Sequence, residues 1–327
     1  MRILVTGSAG HLGEALVRTL RANGREVCGL DIKPSPFTDI VASIADRTAI
    51  ARAMRGVGAV LHAATLHKPH VATHSRQEFV DVNVSGTLNL LEEAAAASVG
   101  AFVFTSTTSV YGFALKPEAG APAVWVDEDL VPVPKNIYGI TKLAAEELCA
   151  LFRRKFALPC LILRTSRFFP EEDDDADTRA AYADANVKCN ELLYRRTDIE
   201  DIVAAHACAL DRALAIGFGR YVISGTTPFS RSDAARVRID LPGLVRERIP
   251  DYEPEYVRRG WKLPAGVGRI YDNTRARVEL GWQPRHDFRS AIAKLRESGD
   301  FRSDLARTIG SKGYHAETFA SGPYPVD

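Results

Sequence analysis

Short, wholly apolar runs alternate with longer stretches of helical periodicity through the first half of the chain. Ile3, Leu4 and Val5 form the first run, with no polar face, as in a strand buried on both sides. Leu12, Leu16, Val17 and Leu20 then recur at helical spacing. The same reading predicts further strands at 25–30, 39–44, 59–64, 101–106 and 159–164, and helices at 46–54, 77–97 and 137–156. Strands and helices in this alternation predict a parallel, doubly wound α/β sheet, with its chemistry at the carboxyl ends of the strands. Beyond residue 164 the rhythm breaks. An acidic, loop-like stretch covers 170–186, a helix is predicted at 199–214, a strand at 221–224, and short helices near 232–240, 274–280 and 288–297. This divides the chain into a nucleotide-binding domain over 1–165, continued by about 196–225, and a smaller C-terminal substrate lobe from 166–195 and 226–300. The tail, 301–327, is rich in Gly, Ser, Pro and Tyr and is expected to be loosely ordered or to wrap a second subunit.

Composition removes several classes of function. The 327 residues carry 42 basic and 41 acidic side chains, so nothing in the charge asks for nucleic acid or a membrane surface. No apolar run approaches the ~18 residues of a membrane span. The chain opens directly into a predicted buried strand, so no signal peptide is expected. The five cysteines are scattered and lack a C-x-x-C pair, as expected of buried thiols in a reducing compartment. A soluble, cytoplasmic protein is expected.

The turn after the first strand carries Gly7, Gly10 and Gly13, and a helix starts at once. Strand, glycine turn and helix form a dinucleotide cradle of Rossmann type. Gly7 permits a sharp turn, Gly10 presents no Cβ to a pyrophosphate, and Gly13 lets the helix sit close to the sheet. The first helical N–H groups, around His11 and Leu12, then face the phosphates. The second strand ends in Asp31, 18 residues past Gly13 and near the ~20 expected of an acid that binds the adenosine ribose. An acid there favours NAD, although Lys33 leaves NADP open.

Tyr138 and Lys142 lie four apart at the start of a predicted helix, on one face. A phenol of pKa ~10 is a weak base, and an ammonium beside it favours the phenolate. The pair can then take a proton from a hydroxyl or return one to a carbonyl. Thr105, Ser106, Thr107, Thr108 and Ser109 end the fifth strand in a row of hydroxyls, where one can hold the reacting oxygen against the tyrosine. His62, His67, His70 and His74 have no carboxylate at ligand spacing, and no metal is expected.

Taken together, these pieces resemble the extended branch of the short-chain dehydrogenase/reductase superfamily, the NAD-dependent epimerase/dehydratase family. The matching segments are Thr6-Gly7-x-x-Gly10-x-x-Gly13, Asp31, His62-Ala-Ala64, Asn83-x-x-Gly-Thr87, Val110-Tyr111-Gly112, Tyr138-x-x-x-Lys142, Asp198-Ile-Glu-Asp201 and Leu280-Gly-Trp282-x-Pro284. The resemblance implies Thr107, Tyr138 and Lys142 as catalytic residues, with Tyr138 and Lys142 also on the cofactor. It implies Ser43 and Ile44 at the adenine, although Ser43 replaces the usual Asp, and Ala63, Ala64 and Thr65 beside the pyrophosphate. Asn83 braces the site wall, and His67 stands where some members place a cofactor-binding lysine. Thr108 and Ser109 occupy the positions of the Asp-Glu pair of sugar-nucleotide dehydratases, which argues against that reaction. Arg167 replaces an Asn that meets the substrate diphosphate in nucleotide-sugar members, and Phe169-Pro170-Glu171 is similar to uronate dehydrogenases. Thr108 and Arg167 are therefore the candidate substrate contacts, with Arg167 either holding an anion or paired with Glu171, Glu172 or Asp173. The resemblance also implies a homodimer through the two long helices. It favours a nucleotide-sugar epimerase, narrowly ahead of a net dehydrogenase of a free sugar or sugar acid. A non-catalytic NAD(H)-binding regulator is disfavoured because Thr107, Tyr138 and Lys142 are all present.

Overall fold

The computed structural model describes residues 1–313 and Phe319. Its centre is a seven-stranded parallel sheet built from β1 (Arg2–Thr6), β2 (Val27–Asp31), β3 (Ile40–Val41), β4 (Val57–His62), β5 (Ala101–Thr107), β7 (Cys160–Thr165) and β8 (Phe218–Ile223), in the order β3-β2-β1-β4-β5-β7-β8. The order reverses between β1 and β4, and the carboxyl ends on either side of that point form a crevice. A second, two-stranded parallel sheet pairs β6 (Val124–Val126) with β9 (Arg269–Tyr271).

Alternate residues of each central strand feed separate cores. Ile3, Val5, Leu61, Val103 and Leu163 meet α1 (His11–Ala22) and α8 (Ile199–Ile216) on one face. Leu4, Val60, Phe102, Phe104 and Ile162 face the other core, whose helical residues include Ile50 of α2 (Arg47–Ala53), Leu90 of α4 (Gly86–Ala96) and Phe152 of α5 (Ile137–Phe156). Burial on both sides is why these strands lack a polar period. The predicted helix over 77–97 is a composite. It starts as α3 (Arg76–Phe79), widens to a π-helical segment over Val80–Ser85, and continues as α4. The widened turn carries Asn83, and such turns recur at functional sites.

Beyond β7 the chain is more helical than the acidic composition of 170–186 predicts. That stretch contains α6 (Ala176–Ala181), capped by the Asp175 side chain, and the start of α7 (Asp184–Glu191). A separate core is built by α9 (Ala234–Ile239), α10 (Leu241–Arg248), α11 (Tyr252–Arg259) and α13 (Phe288–Ser298), whereas α12 (Thr274–Leu280) packs Ala276 and Leu280 into the main core beside α8. The separate core, that of the smaller lobe, draws on Leu192, Leu241, Leu244, Tyr256, Phe288 and Ile292. The lobe is fastened to the main sheet by Asp201, which accepts from the backbone N–H groups of Arg285 and His286, while the fully buried Trp282 donates to the Asp201 carbonyl.

The beginning of the tail departs from the expectation of loose order. Residues 304–309 form α14 (Asp304–Ile309), whose N-cap Ser303 donates to Asp198, and Ile309 enters the core between α1 and α8. One well-placed apolar residue and one cap outweigh the Gly/Ser-rich composition here. Residues 314–318 and 320–327, and with them any embrace of a second subunit by that part of the tail, lie outside the described residues. Among the described residues no helix is long and apolar enough to cross a membrane.

The tightest approach in the fold is at Gly13, where an added Cβ would lie 1.8 Å from the Gly7 carbonyl oxygen. Gly13→Ala should therefore lower thermal stability by several degrees and weaken dinucleotide binding at least about tenfold, because the backbone must shift to admit the methyl group. Differential scanning calorimetry and calorimetric NAD titration check both.

Candidate active site

The β1–α1 turn forms a cradle whose shape depends on missing side chains. Gly7 has φ +77°, and a Cβ there would sit 2.8 Å from the Ala64 nitrogen, so the turn lies directly against the end of β4. Gly10 is the N-cap of α1, and no side chain caps that end. The N–H groups of the first helical turn are thus left for an external acceptor, and the helix dipole favours an anion there. Asp31 closes the rim. Its carboxylate accepts from Ala9 N–H at 3.0 Å and from Lys33 N–H at 2.9 Å. An uncapped helix start, a turn with glycine at both ends and an acid at the end of β2 fit a dinucleotide, with Asp31 on the ribose and His11, Leu12 and Gly13 at the pyrophosphate.

The other candidate cofactor residues divide in two. Ala63, Ala64 and Thr65 follow β4 and stay half-buried beside the turn. Ile44 is instead buried in the core, near Gly86, while the Ser43 hydroxyl is turned to the Ala45 N–H. His62 is an interior histidine, not a loop residue. The Thr6 hydroxyl accepts from Ala64 N–H and donates to His62 Nδ1 at 2.8 Å, the acceptor nitrogen of an imidazole protonated on Nε2. The Thr87 hydroxyl donates to the Asn83 carbonyl, so it accepts from His62 Nε2–H at 2.9 Å. Burial, aided by Lys142, holds this imidazole neutral. Among the described residues no group of three His, Cys, Asp or Glu side chains is placed to hold a metal ion.

Thr107 and Tyr138 lie together at the carboxyl end of β5, and the Lys142 side chain reaches the Thr105 carbonyl of the same strand. Asn136 caps α5 by accepting from Gly139 N–H at 3.2 Å, which fixes Tyr138 in the first turn. The Tyr138 phenol lies beside Thr107, whose hydroxyl acts to hold its pKa down and accepts from Ser109 N–H at 3.1 Å. Asn83 links the walls: its Oδ1 accepts from Leu66 N–H at 2.7 Å and from Thr65 at 2.8 Å, and its amide donates to Thr141 on α5 at 3.1 Å. Thr108 is buried beside Thr107. The electrostatics differ from the expectation of a phenol lowered by its lysine. Burial pushes Tyr138 up to about 12, against the opposing effect of the Thr107 hydroxyl. Burial also brings Lys142 down to about 7, although Glu146 favours its charged form. The Lys142 nitrogen donates to the Thr105 carbonyl at 2.6 Å and lies 4.1 Å from the centre of the Phe104 ring. Desolvation outweighs pairing for both groups.

Behind the site lies a buried ionic network that the sequence reading missed. Arg164 of β7 reaches Glu146 of α5 at 2.7 Å and Tyr111 at 3.1 Å, and the Ser106 hydroxyl donates to Glu146 at 2.6 Å. Both ionic side chains are at most 3% exposed. A lone arginine in an apolar strand was its signal. Arg167, offered as an anion contact, is already ion-paired: its guanidinium meets Asp173 at 2.7 Å and Glu191 at 3.0 Å. Glu191 also holds Arg195 and Arg196.

Known proteins resemble this chain in sequence and in fold. A sequence model of the NAD dependent epimerase/dehydratase family matches residues 3–223. The UDP-glucose 4-epimerase of Mycolicibacterium smegmatis is 30% identical over 91% of this chain and 98% of its own length. The L-arabinose 1-dehydrogenase (NAD(P)(+)) of Haloferax volcanii is 32% identical over 56% of this chain and 76% of its own. A short-chain dehydrogenase/reductase superfamily protein of Agrobacterium tumefaciens, solved with bound NAD, superposes with a TM-score of 0.65 at 27% identity, covering 94% of this chain and 99% of that one.

The depressed Lys142 makes stability depend on pH. Between about 7 and its ordinary value near 10.5 the unfolded chain binds a proton that the folded chain does not, so this group's contribution to stability rises with pH across that window. Below it both states are protonated and the cost of burying the charge is complete. Lys142→Met should therefore gain on the wild type by about 2 kcal/mol more at pH 6 than at pH 9. Urea denaturation of both proteins at the two pH values checks this, and a gap independent of pH would contradict it.

Proposed function

The chain belongs to the NAD-dependent epimerase/dehydratase family, and from that premise we propose that it is an epimerase acting on a carbinol carbon of a nucleotide sugar. The observation that carries this reading is the placement of Thr107, which ends β5, beside Tyr138 in the first turn of α5, with Lys142 one turn further along that helix. Bound NAD supplies the hydride acceptor beside that pair. The Thr107 hydroxyl holds the substrate oxygen, and Tyr138 Oη takes its proton as the carbon is oxidised. Tyr138 is too weak a base while its charge is buried alone, and Lys142 can favour the phenolate only if its ammonium turns from Thr105 toward the site. In the return half-reaction Tyr138 delivers the proton to the carbonyl oxygen after the keto sugar has turned over. The similarity to UDP-glucose 4-epimerase over nearly the whole chain supports an epimerase.

A second reading, net NAD-dependent oxidation of a free sugar or sugar acid, is supported by Arg167. It stands where nucleotide-sugar enzymes are expected to present an uncharged amide. In this reading the same three residues act once, and the ketone or lactone leaves.

Incubation of NAD-loaded protein with UDP-glucose, UDP-galactose and UDP-glucuronate, with products separated chromatographically, should reveal an epimer without net NADH. Accumulation of NADH with a free sugar or uronate would favour the second reading. Tyr138→Phe should reduce turnover at least about a hundredfold, the scale of a general acid–base group, while NAD affinity changes little. Undiminished turnover in that variant would contradict both readings.

A further inference from the structure

Lys68 and Arg167 approach a single carboxylate from opposite sides of the active site. Lys68 begins the turn Lys68–Ala72 after β4, and Arg167 lies two residues beyond β7. In the sheet β5 runs between β4 and β7, and β5 ends at Thr107. Lys68 Nζ donates to Asp174 Oδ2, and Asp174 Oδ1 lies 3.8 Å from Arg167 Nη2. A segment that leaves the β7 side and reaches Lys68 spans the carboxyl end of β5, the strand that ends at Thr107. Asp173 strengthens the closure through Arg167 at 2.7 Å and Arg195 at 3.5 Å.

We propose that Lys68 and Arg167 form the subsite for an anionic group on the substrate, a carboxylate or a phosphate, and that Asp174 occupies this subsite until the anion displaces it. The proposal deepens the reading above, because it assigns the charge of the substrate that the same site takes. The two cations suit such a group: Arg167 offers a planar fork, Lys68 a mobile point charge, and they sit on opposite walls. Arg167 also keeps a buried Nε–H without a partner among the described residues. Glu191 and Asp173 hold the guanidinium in place whether or not Asp174 is there. Burial acts to raise the Asp174 carboxyl, yet Lys68 and Arg167 reverse this and hold it at about 2, so it remains an anion at any working pH. The start of the crossing segment is tied independently, by Ser311 to Glu171 and by Lys188 to the Pro170 carbonyl. Displacement of Asp174 therefore loosens the segment on its Lys68 side, while Pro170, Glu171 and Asp173 stay tied. Because the internal carboxylate is held at high effective concentration, a small anion competes only weakly unless the rest of the substrate adds contacts.

Hydrogen exchange of the NAD-loaded full chain, read by mass spectrometry on peptides spanning 170–176, tests this without turnover. The probes are D-glucuronate and inorganic phosphate, with D-glucose and potassium chloride at matched ionic strength as controls. Glucuronate or phosphate should increase exchange in that segment, and the controls should not. A response to glucuronate alone assigns a sugar carboxylate, and a response to phosphate alone assigns a phosphorylated substrate. Asp174→Asn should show raised exchange with no anion present and bind the effective anion about tenfold more tightly, on the scale of one charge-assisted hydrogen bond. Lys68→Gln should lose the anion response. Exchange that no anion alters, together with unchanged anion affinity in Asp174→Asn, would overturn the proposal. Absence of epimerase and dehydrogenase activity beside an intact anion response would instead overturn the catalytic reading and leave the subsite standing.

Discussion

The fold depends on one close approach, that of the β1–α1 turn to the end of β4 and of α1 to that turn. At Gly7 and Gly13 a single methyl group would strike backbone, at 2.8 Å and 1.8 Å. Because no side chain intervenes, α1 can start immediately at the strand end with its first N–H groups uncapped. The same contact aligns Thr6 with His62, and through His62 and Thr87 it extends to the Asn83 carbonyl. Asn83 in turn carries the alignment to Thr141 on the catalytic helix. A steric requirement at the β1–α1 turn is thus linked by short hydrogen bonds to the helix that carries Tyr138 and Lys142.

A second constraint fixes that helix from below. Glu146 and Arg164 are buried together, and removing either partner of such a pair typically costs about 3–5 kcal/mol because a lone charge is left behind. Ser106 and Tyr111 satisfy their remaining hydrogen-bonding capacity. Glu146 lies two turns beyond Tyr138 on α5, and Arg164 lies on β7, so the pair fixes α5 against the sheet. The cost of burying Tyr138 and Lys142 is borne by this rigid surround, which leaves both groups with shifted proton affinities at the mouth of the crevice.

The doubly wound sheet was legible because its strands, buried on both faces, leave uninterrupted apolar runs such as Ile3–Val5. The glycine turn was legible because its spacing has a steric cause. Elements of the smaller lobe were harder. The three-residue strands β6 and β9 are too short to show a period, and α10 and α11 lie in a stretch rich in proline and arginine. Charge placement was the least legible. The sequence offered Arg167 as an anion contact and Asp173 as a possible partner, but Glu191, 24 residues away, enters only through the tertiary fold. The shift of Tyr138 was read with the wrong sign, because spacing shows which groups are neighbours and not how much water they lose.

The measurement closest to the central claim is the fate of hydrogen at the reacting carbon. UDP-glucose carrying deuterium at the fourth carbon would be turned over in ordinary water by the NAD-loaded protein. Hydride transfer with Tyr138 acting only on the oxygen predicts epimer that retains the label at that carbon, or, for net oxidation, reduced cofactor that carries it. Loss of the label to solvent would mean that a base removes a proton from carbon, and the roles assigned to Thr107, Tyr138 and Lys142 would be contradicted.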